Sequence, residues 1–436
     1  MRNLMIVENF FQKRSDFVRN ALKLVSGTAL AQGISLLIAP LITRLYSPAD
    51  FGAFTFLISL AGTFGLIGTL RYEMAILLPK EDEKAINIAI LSFKIAFIIA
   101  MVLVFLAIIA NIANPSLRFF TESVCKGVLI VPLLVIMISA GNIAQNWFNR
   151  QNHYKIIALS RVANSAGNNT TTLIFGFLGF GVWGLLFGNF LGQVVMLLLL
   201  AVYFSKGSKN FFKQSNRSLQ RKLASHYREL PLANTPQVLV ELVQVYGIVF
   251  LLRFFSDDST LGWYALAQRL LQAPLWLVGA ALCQVYYKEA SSLFAAGHEI
   301  RPVLFKTILL AFFSVFPVLL VSLFAGPWLI SFIFGESWRE SGEIARILAP
   351  WFFLDFIRYS ISQTPLILGK TRQMLLVSMS GAIGIVVGIT VGSTFSEHAF
   401  AGFILLSAIM SLHAIFVIAW NIWIASKACN TLPNQR

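Results

Sequence analysis

AILSFKIAFIIAMVLVFLAIIANIA, residues 89–113, is a run of 25 residues in which Lys94 is the only charged side chain. About 20 apolar residues are enough to cross the hydrocarbon core of a bilayer as a helix. The run lacks the polar/apolar alternation of a membrane β-strand, and only helices and closed barrels satisfy every backbone hydrogen bond in lipid. It therefore predicts a membrane-spanning helix and an all-α integral membrane fold.

Eleven further apolar runs of similar length follow the same pattern along the 436 residues. The chain is 57% hydrophobic and 12% charged, whereas soluble globular domains carry about 25% charged residues. We therefore predict about twelve transmembrane helices. Their expected positions are residues 21–43, 51–69, 89–113, 127–147, 156–178, 181–203, 232–252, 262–284, 304–325, 343–363, 374–393 and 400–425.

The formal net charge of +15 comes from basic residues in the short gaps between these runs. Alternate gaps and the two tails hold 25 Lys and Arg residues, and the opposite set of gaps holds five. Cytoplasmic loops of membrane proteins are enriched in Lys and Arg. The asymmetry predicts that both termini are cytoplasmic, and it explains the positive charge without a nucleic-acid partner.

Residue types that carry catalysis or bind metals do not cluster in the sequence. The three cysteines are scattered and have no Cys-x-x-Cys spacing, and the five histidines form no group. Gly369-Lys370-Thr371 resembles the end of a phosphate-binding loop, but Thr364 stands where the first glycine of that motif belongs. We expect no enzyme activity, no cofactor and no metal site.

Two short motifs recur in the two halves of the chain. Arg44–Ser47 followed by Gly52 resembles Arg253–Ser256 followed by Gly262. The order of the motifs and six predicted helices per half favour two parallel repeats, related by an axis along the membrane normal.

The second pair, Phe93-Lys94 and Phe305-Lys306, supports the same repeat. We predict an N-terminal six-helix lobe over 1–203, a basic cytoplasmic linker over 204–230 and a C-terminal six-helix lobe over 231–436.

Amide side chains recur at helical spacing inside several predicted spans. Residues three and four apart lie on one helical face, so each stripe gives its helix one polar side. Interhelical hydrogen bonding is one interpretation of these stripes, and a polar cavity between the helices is the other. Several stripes together favour the cavity. Its predicted amide residues are Asn142, Asn146, Asn164, Asn168, Asn234, Gln237, Gln244 and Gln272.

Four charged residues accompany these stripes: Glu241, Arg269, Asp355 and Arg358. A charged side chain at the centre of a membrane helix costs about 2.5–3.5 kcal/mol on insertion scales, so these residues are expected to face protein or water. One alternative is local neutralisation, since Asp355 and Arg358 are three residues apart. We predict that all four line the cavity.

Three stretches resemble a known family. They are ALAQGISLLIAPLITRLYSPADFG from Ala29 to Gly52, LRYEMAILLPKEDE from Leu70 to Glu83, and CQVYYKEAS from Cys283 to Ser291. They are similar to the Wzx-type polysaccharide flippases, lipid-linked oligosaccharide transporters of the multidrug/oligosaccharidyl-lipid/polysaccharide exporter superfamily. The resemblance implies two six-helix lobes around a V-shaped central cavity.

The resemblance also implies a function. The expected substrate is an undecaprenyl-diphosphate-linked oligosaccharide repeat unit of O-antigen or capsule type, moved from the cytoplasmic to the periplasmic leaflet of the bacterial inner membrane. Membrane lipid, a polysaccharide polymerase and a chain-length regulator are the expected partners. A multidrug exporter of the same fold and a membrane-embedded polymerase are the alternatives. The short predicted external loops argue against the polymerase.

Arg71 and Glu73 lie in the second stretch and are matched residue by residue to a conformational motif of that family. They follow the second predicted span at its cytoplasmic end. Arg71 is expected either to bind the incoming diphosphate or to pair with a carboxylate and latch the cytoplasmic gate.

Overall fold

The computed structural model describes residues 27–112, 122–207, 215–274, 278–394 and 400–430, and these residues contain helices and no strands. Short 3-10 helices at Tyr72–Leu77 and Glu336–Trp338 and a π-helical turn at Leu230–Asn234 connect the α-helices. The α-helices are α1 Gly27–Leu45, α2 Pro48–Ile67, α3 Asp82–Ile112, α4 Glu122–Val128, α5 Val131–Arg150, α6 Tyr154–Phe177, α7 Val182–Gly207, α8 Arg217–His226, α9 Thr235–Phe255, α10 Asp258–Pro274, α11 Ala280–Ala295, α12 Arg301–Phe334, α13 Arg339–Ser360, α14 Thr364–Ile367, α15 Thr371–Thr394 and α16 Ala401–Asn430.

Nine helical segments of the described residues are long and apolar enough to cross a membrane, and the predicted all-α membrane fold is confirmed. Three other predicted spans correspond to α6, to α10 with α11, and to α13. These are polar helices. The eighth predicted span, residues 262–284, overlaps both α10 and α11, which lie on either side of residues 275–277, outside the described residues.

Contacts divide the chain into two compact units. Unit 1 contains the described residues up to Tyr46 and those from Phe56 to Leu239, and unit 2 contains Ser47–Thr55 and the described residues from Val240 onward. Each unit has its own helix packing, described separately below.

In unit 1, α6 packs closely along α7 because glycines remove side chains from the contact. A Cβ on Gly192 would lie 2.8 Å from the carbonyl oxygen of Asn164, and one on Gly188 would overlap the hydroxyl of Thr172. Small residues at such positions let two membrane helices approach each other. This packing orients the polar face of α6.

Residues 204–230, predicted as a linker, include α8, which packs on the first turns of α3. Asn87 of α3 accepts hydrogen bonds from the Asn216 backbone N–H at 2.8 Å and from Gln220 Nε2 at 3.1 Å. The Tyr72 hydroxyl donates to the Ala224 carbonyl at 3.0 Å. Leu223 of α8 is buried in a hydrophobic cluster at this contact. Burial also raises the pKa of the Tyr72 phenol. Amphipathic α8 is therefore part of unit 1.

In unit 2, the first turns of α2 and α10 cross at the glycines of the repeated motif. A Cβ on Gly52 would overlap the carbonyl oxygen of Asp258, and one on Gly262 would overlap that of Pro48. The contact is symmetric, because each glycine meets the carbonyl oxygen of the first residue of the other helix. The buried Arg253 pairs with Asp258 beside this crossing.

We expect Gly52→Ala to lower the thermal unfolding midpoint of the purified protein. Its methyl group has no room beside the Asp258 carbonyl, and overpacking of this kind typically costs about 1–3 kcal/mol. Gly33→Ala is the matched control, since nothing lies within 4 Å of a Cβ on Gly33 of α1 and alanine is the better helix former. Equal midpoints for the two variants would contradict the close crossing.

Candidate functional site

The polar faces of α5 and α6 enclose a cavity in unit 1, together with residues of α1 and α7. Its volume is about 340 Å³, and we call it the amide cavity. The predicted residues Asn142, Asn164 and Asn168 line it. Its other polar lining residues are Thr28, Gln32, Ser35, Gln145, Arg161, Ser165 and Gln193.

Arg161 is the charged residue of this cavity. Its Nη1 donates to the Thr28 hydroxyl at 2.7 Å, and its Nε and Nη2 donate to Gln145 Oε1 at 3.3 and 3.2 Å. Both partners are neutral, and the residues that line the cavity include no carboxylate. A guanidinium held by neutral groups keeps its positive charge available to an anionic ligand, and its planar donors suit phosphate oxygens.

The sequence contains a signal for Arg161, although Arg161 is not among the predicted cavity residues. It lies inside the predicted span 156–178, and in the structure α6 begins at Tyr154. Arg161 therefore lies in the second turn of the helix. Its spacing of three and seven residues to Asn164 and Asn168 places all three on one face.

A second cavity of about 300 Å³, the gate cavity, shares Asn142, Gln145 and Arg161 with the amide cavity. The predicted residues Asn146, Arg71 and Glu73 also line it. Arg161 thus contributes to both cavities, and the predicted cytoplasmic gate adjoins the predicted amide residues.

Arg71 and Glu73 form an ion pair in a tight turn after α2. Arg71 Nη1 lies 3.3 Å from Glu73 Oε1, and the Glu73 side chain is 3% exposed. Thr69 also donates a hydrogen bond to Glu73. Arg71 has φ +63°, a left-handed conformation that non-glycine residues seldom adopt and that surrounding contacts must maintain.

Arg71 also connects this turn to the start of α9. Its Nε donates to Oδ1 of Asn234 at 3.0 Å, so the predicted residue Asn234 contacts the gate residue. A single guanidinium therefore bridges a buried carboxylate and the residue before Thr235, where α9 begins.

Arg150, at the end of α5, holds the loop that follows the gate residues. It donates to the backbone carbonyls of Ile76 at 3.2 Å and Lys80 at 3.0 Å, and to that of Pro79. It also pairs with Asp82 at 2.9 Å. The sequence carries no signal for this role, because Arg150 follows the pattern of an ordinary loop cation.

Most of the remaining predicted residues belong to unit 2. Arg358 pairs with Asp355 at 2.7 Å within α13, so the local neutralisation that the sequence left open is present. Gln244 donates to the Ser378 carbonyl at 2.6 Å. Arg269 and Gln272 of α10 are partly buried, whereas Glu241 and Gln237 of α9 are exposed.

Comparison with known proteins gives one family and one fold. A family model described as polysaccharide biosynthesis protein matches residues 41–343. The succinoglycan biosynthesis transport protein ExoT of Rhizobium meliloti (strain 1021) is 21% identical over 326 residues. That alignment covers 73% of this chain, and the chain spans 62% of that relative's length.

Two solved structures resemble this chain over nearly its whole length. The lipid II flippase MurJ in an inward closed conformation has a TM-score of 0.70 at 13% identity, covering 95% of this chain and 90% of MurJ. An inward-facing multidrug resistance transporter of the MATE family, in the MOP superfamily, has a TM-score of 0.68 at 16% identity, covering 93% and 96%. At these identities the likeness establishes the fold.

We expect Arg71→Ala to destabilise the protein strongly, because it leaves the buried Glu73 carboxylate without its cation. Breaking a buried pair in this way typically costs about 3–5 kcal/mol. Adding Glu73→Gln removes the orphaned charge and is expected to recover part of the loss. The measurement is the unfolding midpoint of each single variant and of the double variant in detergent.

Arg339→Ala is the control for this comparison of single and double variants. Its partner Glu336 is 73% exposed and Arg339 is 61% exposed, and exposed pairs contribute about 1 kcal/mol or less. Additive effects of Arg71→Ala and Glu73→Gln, with no recovery, would refute the pairing.

Proposed function

The chain belongs to the polysaccharide biosynthesis protein family, and from that membership we propose that it is a flippase for a lipid-linked oligosaccharide. The proposed substrate is an undecaprenyl-diphosphate-linked repeat unit of O-antigen or capsule type. It moves from the cytoplasmic to the periplasmic leaflet by alternating access, in which the cavity opens to one side of the membrane at a time.

One observation carries this proposal, namely a cavity lined by amides and hydroxyls around Arg161, with no carboxylate in its lining. A glycan leaving water needs amide and hydroxyl partners for its own hydroxyl groups, since burying them unpaired is costly. A diphosphate needs a cation for the same reason. The residues around Arg161 supply both kinds of partner.

The gate residues support a route to this cavity. Arg71 lines the gate cavity, which Arg161 also lines. Arg71 is bound to Glu73 and Asn234. In our proposal the Arg71–Glu73 pair latches the closed state of the cytoplasmic gate. Two states that differ by one such contact lie within the few kcal/mol that a bound substrate can shift.

A multidrug exporter of the same fold is the second candidate, because a MATE transporter shares the fold. Exporters of cationic drugs need acidic or aromatic groups in the cavity to attract a cation. The amide cavity has Arg161 and amides instead. Its charge therefore favours an anionic, sugar-bearing substrate.

The proposed location is the bacterial inner membrane, with both termini cytoplasmic, as the Lys and Arg asymmetry predicts. A lipid-linked substrate delivered to the outer face must be consumed there by a polymer-forming reaction. A polysaccharide polymerase and a chain-length regulator therefore remain the proposed partners.

We expect Arg161→Ala to weaken binding of the lipid-linked diphosphate by about 10–100-fold, since a hydrogen bond to a charged group contributes about 1.5–3 kcal/mol. Polymer export in cells should fall accordingly. Arg161→Lys keeps the charge without the planar donors and should retain part of the binding. Binding to the purified protein and surface polymer in cells are the two measurements.

Arg44→Ala is the matched control, because Arg44 is exposed near the end of α1. It should leave both measurements unchanged. Normal export and normal binding in Arg161→Ala, with the protein present at wild-type level, would reject the role of this cavity.

Labelling of the gate cavity tests the latch. In a variant without Cys125, Cys283 and Cys429, we introduce Asn146→Cys and expose the cytoplasmic face to a membrane-impermeant maleimide. Arg71→Ala should increase the labelling rate, because the gate opens more often without its ion pair. An unchanged labelling rate combined with weaker substrate binding would instead assign Arg71 to diphosphate capture.

A further inference from the structure

Unit 1 contains a third cavity of a different kind, a groove of about 470 Å³ between α3, α5 and α7. We call it the lateral groove. Phe93, Ala144, Trp147, Leu197 and Phe204 are among its apolar lining residues. Lys94 is the one charged side chain in the lining.

The lateral groove and the two polar cavities lie on opposite faces of α5. Ala140, Ile143, Ala144 and Trp147 line the groove, at successive spacings of three, one and three residues. The amide residues of α5 line the polar cavities. One helix therefore separates a polar compartment from an apolar one, and an occupant of the groove need not enter the polar cavities.

The length of α3 places the charged end of this groove near the membrane surface. The helix has 31 residues, or about 46 Å at 1.5 Å per residue, whereas the hydrocarbon core is about 30 Å thick. A span of about 20 residues that ends at Ile112, the last described residue of α3, begins at Phe93. With this placement Lys94 lies close to the boundary between the hydrocarbon and the headgroup layer.

Hydrogen bonds direct the Lys94 ammonium toward the headgroup side. Nζ donates to Gln220 Oε1 at 2.8 Å, and the amide nitrogen of Gln220 donates to Asn87, two turns nearer the start of α3. An ammonium has three N–H donors, and Gln220 accepts one. Lys94 is also exposed, so a ligand at the surface can reach it.

Helix α8, which holds Gln220 beside Lys94, carries exposed cations, and the first turn of α3 carries Asp82, paired with Arg150, and Glu83. Arg217, Arg221 and Lys222 of α8 are exposed, and α8 packs on the same turns of α3 through Gln220. Cations at the membrane surface attract anionic headgroups by about 1 kcal/mol each. This charge selects an anionic headgroup over a zwitterionic one.

We propose that the lateral groove binds an anionic phospholipid. Its phosphate accepts a hydrogen bond from Lys94, and one acyl chain follows the apolar walls of α5 and α7 toward Leu197. Burial of the acyl methylenes supplies affinity, and one charge at the interface adds selectivity for the headgroup. The bound lipid would also support the contact between α8 and α3, because Lys94 touches both the lipid and Gln220.

Native mass spectrometry of the delipidated full-length protein tests this proposal with dioleoyl phosphatidylglycerol and dioleoyl phosphatidylcholine. The wild type should bind phosphatidylglycerol more tightly. Lys94→Gln should weaken phosphatidylglycerol binding by about fivefold, the equivalent of one interfacial charge, and leave phosphatidylcholine binding unchanged. Lys306→Gln removes the equivalent lysine of the repeat and should have no effect.

An adjacent pair of substitutions tests the chain-binding part. Leu197→Trp fills the groove and should displace phosphatidylglycerol, whereas Leu198→Trp should not, because Leu198 is 60% exposed and outside the groove lining. Equal binding of the two phospholipids, equal effects of Lys94→Gln and Lys306→Gln, or equal effects of the two tryptophans would overturn the proposal. Preferential retention of undecaprenyl phosphate in a Lys94-dependent manner would also overturn it, in favour of the carrier lipid.

Discussion

The free-energy cost of placing a charge in lipid governs where the polar side chains of unit 1 lie. An arginine at the centre of a membrane helix costs about 2.5–3.5 kcal/mol on insertion scales. Arg161 lies nearer the start of α6, where Thr28 and Gln145 accept its hydrogen bonds and the polar faces of α5 and α6 surround it. Because no carboxylate of the cavity lining neutralises it, the helices enclose a site that favours an anion. In our proposal this is where the diphosphate binds.

Arg71 and Arg150, two other cations of unit 1, show that the groups bound to a guanidinium decide what it does. Arg71 is paired with the buried Glu73, so its charge stabilises a turn and is available to a ligand only when that pair opens. Arg150 is committed to backbone carbonyls and Asp82. Of these three arginines, Arg161 is the one whose side-chain hydrogen-bond partners are all neutral.

The sequence predicted the fold well, because hydrophobic length and the absence of alternation are direct consequences of the bilayer. It identified Gly52 and Gly262 as members of a repeated motif but did not predict that they lie at the crossing of α2 and α10. It missed Arg161, which lies inside the predicted span 156–178, because the hydrogen bonds of Arg161 to Thr28 and Gln145 are tertiary contacts between different helices. The packing of α8 on α3 could not be predicted, because Asn87 and Gln220 are distant in sequence and their pairing is tertiary.

In our proposal the amide cavity holds the diphosphate end of a lipid-linked sugar. Photocrosslinking tests this placement with an undecaprenyl-diphosphate sugar that carries a photoreactive group next to the diphosphate, followed by peptide mapping of the purified protein. We expect adducts on the α5 and α6 segments around Gln145 and Arg161, suppressed by an excess of unlabelled lipid diphosphate. Adducts confined to α9, α10 or α13, or labelling that the unlabelled lipid does not suppress, would contradict it.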